Sequence, residues 1–269
     1  MRKMYRLQAW EKFIAVKKAF TLSEIILTIT IIGAVAVLTR AGLVKHYHEK
    51  EYVSQLRKSI SQFEQAMQKI MFKHECTEII CTNIFNSTTS NKEWNNKFEE
   101  EIIHWIKITK SAKTGTALSP KIKSKYLKPK DTFLSNASDW ASTSGFKFVT
   151  YDGVMYHIEP SACKAVAHKY ANKINNICAE VIIDVNSERK PNQYGRDIFK
   201  FIVAQNGHLY PLYGKDYAEA LSGDSSGNDY WKNNPELCAG NKKLYDAPEK
   251  VSGDGCAARI IEEGWEMNY

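Results

Sequence analysis

Twenty residues from Ile25 to Val44 carry a single charge, Arg40. No other stretch constrains the chain as strongly. As an α-helix the run is about 30 Å long, which matches the hydrocarbon core of a bilayer. A lone span must satisfy its own backbone N–H and C=O groups, so helix is the local structure left to it. The helical pattern also continues past Val44. Val53, Leu56, Ile60, Phe63, Met67 and Ile70 recur at alternating steps of three and four, and Lys50, Arg57, Lys58, Gln65 and Lys69 fall on the reverse face. The spacing predicts one helix over 20–73, membrane-spanning at about 25–44 and amphipathic over 45–73. A one-sided stripe needs a surface to cover it, and residues 74–269 must supply that surface as a folded head.

The net charge of +7 is unevenly placed. Residues 1–19 hold Arg2, Lys3, Arg6, Lys12, Lys17 and Lys18 against one acid, Glu11, so the rest of the chain is near neutral. This bias puts residues 1–19 on the cytoplasmic side and the head outside. It also removes net charge as an argument for nucleic-acid binding. All six cysteines (Cys76, Cys81, Cys163, Cys178, Cys238 and Cys256) follow the span. An even number in an oxidising compartment implies disulfides, and pairing of sequence neighbours would give 76–81, 163–178 and 238–256. No C-x2-C spacing points to zinc. His46 and His48, just past the span, read as interfacial residues rather than metal ligands.

Within the head, Trp94, Phe98, Ile102, Trp105 and Ile106 recur at helical spacing, predicting a second helix over about 94–108 whose rings face a core. Residues 107–130 hold eight lysines and no acid. Such a run reads as a solvated loop; the functional alternative is a basic patch for phosphate or an anionic surface polymer. Tyr126 is the one aromatic within it, which weakens a single-strand nucleic-acid reading. From Gly145 the pattern turns to period two. "FKFVTYDGVMYHIE" reads as a hairpin turned at Asp152-Gly153, and "RDIFKFIVAQNGHLYPL" as another turned at Asn206-Gly207, with the strand "AEVIIDV" between them. The segment bounded by Cys163 and Cys178 reads as an excursion with short helical character. About five strands joined by tight turns imply an antiparallel sheet and an α+β class. Residues 214–256 read as irregular, and Ile260, Ile261 and Trp265 as a short apolar element returning to the core. Asp184, Asn186, Asn192 and Asp197 fit Asx-turn chemistry in a strand connection. No P-loop, G-x-S-x-G, H-E-x-x-H or G-x-G-x-x-G is present, and Glu99-Glu100-Glu101 reads as the outer face of a helix, so no catalytic residue is nominated.

One short stretch is more specific. Lys17–Glu24, "KKAFTLSE", joins a basic leader to a small residue, then Phe, Thr-Leu and a Glu. It resembles the cleavage and methylation signal of type IV pilins and type II secretion pseudopilins. On that resemblance Ala19 precedes the cut, Phe20 is the mature N-terminus and Glu24 is the motif's glutamate. Ala19 stands where the family usually has Gly, Ser23 where Ile or Val is common, and Gly42 in the region where a Pro is frequent. The resemblance implies a pilin-like fold: a long N-terminal helix packed on an antiparallel sheet with disulfide-closed loops. It implies a structural subunit, here of minor or accessory type, of a type IV pilus or type II secretion-like filament. Its partners would be prepilin peptidase, an assembly platform and other pilin subunits. Its place would be the bacterial cytoplasmic membrane, then a surface or periplasmic filament. Glu24 would partner the α-ammonium of Phe20 on a neighbouring subunit. Some pseudopilins hold calcium in a loop near their sheet, which makes calcium the alternative reading of Asp184–Asp197; no other cofactor is implied. The competing functions are a pilin-mounted adhesion or DNA-uptake protein and a membrane-anchored enzyme.

Overall fold

The computed structural model describes residues 21–85, 91–113, 115–118, 123–128, 144–167, 173–222 and 230–269, with the backbone alone at 40–42 and 91–92. The leader 1–19 (with Ala19) and Phe20 lie outside these residues. Helix α1 runs unbroken over Leu22–Lys73, 52 residues or about 78 Å. It belongs to two compact units, one ending at His46 and one spanning Tyr47–Tyr269. In the first, Leu22, Ile25, Ile29, Ile32, Val35 and Leu38 are all exposed, so no face of the helix is covered. It is the one helix among the described residues long and apolar enough to cross a membrane.

In the second unit burial on α1 begins at Tyr52. Val53, Leu56, Phe63, Met67 and Ile70 are buried and Ile60 half-buried, while Lys50, Arg57, Lys58, Gln65 and Lys69 stay exposed. The stripe read from the spacing is the stripe that packs. Each such side chain stabilises the unit by about 1.5–3 kcal/mol through removal from water. Its partner is a six-stranded antiparallel sheet whose strands neighbour one another in chain order: β1 (Ile108–Ala112), β2 (Phe146–Thr150), β3 (Met155–Ala165), β4 (Asn176–Asp184), β5 (Ile198–Ala204) and β6 (Leu209–Pro211). Phe63 stacks on Tyr156 at 5.9 Å between ring centroids, and Tyr156 on Phe148 at 4.9 Å. The Tyr156 hydroxyl donates to the Ser59 carbonyl at 3.0 Å, so even the polar end of this buried ring is satisfied by the helix. The other sheet face is covered too. Met155, Ile182 and Ile198 pack with Leu118 and Tyr194, and Ile202 and Ala204 with Ile174, Leu212 and Ala220. Coverage on both sides explains why β4 and β5 read as nearly continuous apolar runs rather than as clean alternation.

Both expected hairpins form, with a three-residue loop in place of a two-residue turn. Thr150 N–H donates to the Val154 carbonyl at 2.8 Å around Tyr151-Asp152-Gly153, and Ala204 N–H to the His208 carbonyl at 3.1 Å around Gln205-Asn206-Gly207. Each loop ends on a left-handed glycine, φ 83° at Gly153 and 76° at Gly207, as loops of this length require. Gly207 also sits on α1. A Cβ there would meet Met71 Cε at 3.1 Å and Met67 Cβ at 3.2 Å.

Other expectations are corrected. The second helix, α2, spans Asn91–Ile102 rather than 94–108, because Trp105 and Ile106 turn back to the Ile102 carbonyl at 3.0 and 2.9 Å. The lysine-rich segment is not all loop. Its first residues form β1, paired to β2 from Ile108↔Thr150 to Ala112↔Lys147, and Lys110 on this edge strand is the kind of charge that blocks further strand addition. Among the described residues between Cys163 and Cys178 there is no helix. β3 continues through Cys163 to Ala165, with a register break between Pro160 and Lys164. The C-terminal region has short helices: α3 (Lys215–Ser222), α4 (Tyr230–Asn233) and α5 (Pro235–Cys238). Helix α6 (Cys256–Glu262) buries Ile260, with Ile261 and Trp265 half-buried against the core. The cysteines are bonded as Cys76–Cys81, Cys163–Cys178 and Cys238–Cys256.

Candidate assembly helix and head sites

At the start of α1 the backbone N–H and the hydroxyl of Thr21 both donate to Glu24 Oε2 at 2.8 Å, and Glu24 N–H approaches the Thr21 hydroxyl at 3.3 Å. This is a reciprocal capping box, two donors of the first turn satisfied by a T-x-x-E pair. The T-x-x-E spacing of "TLSE" is the sequence signal for this cap. Glu24 thus has partners within its own chain. Ala19 and Phe20, the other residues of the processing motif, lie outside the described residues. His48 lies beside Glu51, Nδ1 to Oε2 3.2 Å, and stacks on Tyr52.

On the second unit a groove of about 370 Å³ runs between the polar face of α1 and the β1–β2 end of the sheet, lined by Lys58, Lys69, Trp105, Lys107, Tyr151 and Asp152 among others. Its polarity is mixed. Lys58 pairs with Asp152 at 2.7 Å, and although burial works to raise the Asp152 carboxyl, hydrogen bonds from Lys58 and Thr150 outweigh it and hold the group below its usual range. Lys69 Nζ lies over the Trp105 ring at 5.4 Å, a cation–π contact. Tyr151 is 80% exposed at the hairpin tip. Exposed rings beside ammonium groups suit a flat, anionic or hydroxyl-rich ligand. No local motif signals this groove, because α1, the α2–β1 link and the β2–β3 turn come together only in the fold. Below it, Glu101 joins Lys73 at 2.9 Å and His74 at 3.0 Å, and Glu99 joins Lys113 at 2.7 Å. These acids are half-buried struts between α2 and its neighbours rather than a bare outer face.

The connection from β4 to β5 gathers the four oxygen-bearing residues singled out by sequence. Asp184 and Asp197 are fully buried, and Asn186 and Asn192 nearly so. Asp184 Oδ1 accepts the Asn186 N–H at 3.1 Å, the expected Asx turn. Asp197 accepts the N–H groups of Asn192 at 2.7 Å and Gln193 at 2.6 Å. Asn186 Nδ2 reaches the Tyr52 hydroxyl on α1 and the Lys190 carbonyl, both at 3.3 Å. What remains is unusual: Asp184 Oδ2, Asn186 Oδ1 and Asn192 Oδ1 are buried without a hydrogen-bond partner. Burial, reinforced by the charge of Asp197, holds the Asp184 carboxyl well above the carboxylate range, and burial pushes Asp197 up to about 6. Among the described residues no cluster of three or more His, Cys, Asp or Glu is assembled; this group, with two acids and two amides, is a different kind of donor set.

The C-terminal loop is held by a buried arginine. Arg259 Nη1 donates to the carbonyls of Cys238 at 3.1 Å, Gly240 at 2.6 Å and Lys242 at 3.1 Å, while its Nε donates to Glu263 at 2.9 Å. Compared with models of known protein families, with curated proteins and with solved structures, the chain matches none.

Proposed function

We propose that this chain is a structural subunit, of minor or accessory type, of a type IV pilus or type II secretion-like filament. In this reading prepilin peptidase cuts between Ala19 and Phe20, an assembly platform extracts the subunit from the bacterial cytoplasmic membrane, and other pilin subunits receive its N-terminal helix. The reading is supported chiefly by one helix with two characters. Over Leu22–Leu38 its apolar side chains are exposed, and from Tyr52 onward one face is built into the core of an α+β unit. The first part suits lipid before assembly and neighbouring helices after it, since packed helices can replace lipid contacts without loss. The second part anchors its own stretch of helix in the head through the buried stripe. The motif Lys17–Glu24 supplies the processing signal, and three disulfides suit an extracytoplasmic head.

A second reading is favoured by the groove at Trp105, Lys69 and Tyr151, which fits a head that recognises an anionic polymer while the helix mounts it. The deciding experiment is intact mass and N-terminal sequencing of membrane-extracted protein, from cells with and without prepilin peptidase. The expected mature chain starts at N-methylated Phe20 only in the presence of the peptidase. A chain still starting at Met1 in both would overturn the reading. Replacing Lys69 and Lys107 by Gln then separates the two functions: lost filaments favour the subunit role, and lost polymer binding with intact filaments favours recognition.

A further inference from the structure

We propose that the groove between α1, the α2–β1 link and the β2–β3 turn is a binding site for an acidic saccharide, a pyranose unit that carries a carboxylate. The inference rests on the recognition reading given above, whose ligand class it names, and not on the filament reading. Three segments meet in the groove, and each is tied to the next. Lys58 on α1 pairs with Asp152 on the hairpin at 2.7 Å. Tyr151 N–H on that hairpin donates to the Lys107 carbonyl of the link at 2.9 Å. Lys69 closes the circuit from α1 back to the link, over the Trp105 ring. Ala66 and Ile106, both buried, are its apolar lining. A groove braced on three sides is preformed, so little binding energy is lost in ordering it. Its volume of about 370 Å³ lies near the small end of the range for ligand pockets, about 300–1,000 Å³, with room for roughly one or two sugar rings.

The lining matches what such a unit presents. A pyranose has a flat face of C–H groups, which packs on an aromatic ring. Tyr151 offers a ring 80% exposed and Trp105 one 38% exposed, and open aromatic surface gathered in one groove marks a place for a flat partner. The carboxylate needs a cation that is not already neutralised. Lys58 is committed to Asp152, whereas Lys69 and Lys107 make no ion pair among the described residues. The Lys69 ammonium lies 5.4 Å from the centre of the Trp105 ring. A uronate carries its carboxyl on the rim of its own ring, so one unit can meet the ammonium and an aromatic face together. Asp152 sets this ligand apart from a nucleic acid. Thr150 donates to one of its oxygens and Lys58 to the other, and an ionised carboxylate has about four acceptor sites. The sites left over take hydroxyl donors and repel acceptors. Saccharides are rich in hydroxyls, whereas a phosphodiester backbone presents acceptors alone. Gln62 and Gln65 add amides that both donate and accept, and no Arg, the side chain best fitted to phosphate, lines the groove.

The test uses the full chain in detergent micelles and isothermal titration calorimetry with three short probes: trigalacturonate, its uncharged methyl ester, and a 5′-phosphorylated thymidine trinucleotide. Trigalacturonate is expected to bind at one equivalent, and the ester and the trinucleotide at least about tenfold more weakly, as loss of a charge-assisted contact dictates. Tyr151→Ala and Lys107→Gln should each weaken trigalacturonate about tenfold, one through the ring and one through the charge. Both side chains are exposed, so both variants should fold, which an unchanged Tm checks. An ester that binds as tightly as the acid overturns the proposal. So does a trinucleotide that binds as tightly, although that result leaves recognition of anions standing. Undiminished binding in both folded variants overturns the groove as the site. Folded protein that binds none of the three probes overturns the recognition reading together with the proposal.

Discussion

Replacing Arg259 by Met should release the C-terminal loop while leaving the sheet intact. The guanidinium is 3% exposed and lies between the rings of Trp231 and Tyr269, at 5.5 and 5.3 Å from their centroids. Three carbonyls, those of Cys238, Gly240 and Lys242, take their hydrogen bonds from its Nη1. Met keeps much of the stem's packing but strands the acceptors. Those of Cys238 and Gly240 are buried and cannot recover fully with water, whereas that of Lys242 is near solvent. Each charge-assisted bond contributes about 1.5–3 kcal/mol, but the three share one donor and do not add. Breaking a buried charged centre of this kind costs about 3–5 kcal/mol in total. For a unit of this size that is a fall in Tm of roughly 10 °C. Arg259→Lys should fall between, because an ammonium can reach one or two carbonyls but cannot also hold Glu263. The assays are thermal unfolding by circular dichroism and limited proteolysis, with new cleavage expected between Cys238 and Lys243. A Met variant within about 1 °C of the parent, with no new cleavage, would refute the claim that this arginine organises the loop, since measured effects of a lost buried network are larger.

Two further outcomes follow from the helix–sheet contact and from a carboxylate on β3. Gly207→Ala should destabilise by about 1–2 kcal/mol from its left-handed backbone alone, and more if Met71 and Met67 cannot yield; Gly153→Ala, whose added Cβ meets nothing within 4 Å, should cost the backbone part only, so equal Tm losses would refute the contact with α1. Glu159 is held down at about 2 from an ordinary 4.5, chiefly by its hydrogen bond from His157 and then by Ser144 against the opposing effect of burial. A depressed carboxyl contributes stability above its unfolded value and loses it as pH falls through the folded one. Wild type and Glu159→Gln should therefore differ by a constant Tm gap above about pH 5 that closes toward about pH 2. The group is nearly half exposed, so the gap will be small, and its shape carries the test: a gap that persists unchanged to pH 2 contradicts the assignment.

What could be read in advance follows from how local each signal is. The stripe on α1 was legible because a 3.6-residue period repeats over five turns, and the hairpins because Asp-Gly and Asn-Gly supply the left-handed glycine their loops need. The end of α2 was misplaced because Trp105 and Ile106 extend the apolar rhythm while the backbone has already turned. β1 was hidden because a lysine-rich edge strand looks like loop until its partner is known. The Asp184–Asp197 connection gave up its composition but not its burial: nothing local says that two acids there are sealed from water, and that burial leaves Asp184 Oδ2, Asn186 Oδ1 and Asn192 Oδ1 without a hydrogen-bond partner. The groove at Trp105 and Tyr151 depends on three separate segments and had no sequence signal at all.

Glu24 caps α1, the filament reading proposed above gives it a second role in assembly, and one substitution separates the two. As the acceptor of a capping box it needs a hydrogen-bonding oxygen three residues after Thr21. Glutamine satisfies that requirement nearly as well as glutamate, since capping boxes use either. As the partner of an ammonium on a neighbouring subunit it needs a charge, which glutamine lacks. Glu24→Gln should therefore leave helix α1, membrane insertion and cleavage at Ala19 unchanged, and should stop or misregister assembly. Glu24→Ala removes both roles and should fray the first turn as well, which amide exchange at Thr21 and at position 24 would report. Thr21→Val is the complementary case. It weakens the box from the other side, keeps the charge and should spare assembly. Processed Glu24→Gln protein that enters filaments as well as the parent would reduce Glu24 to a helix cap and leave the exposed apolar surface of α1 to carry assembly alone.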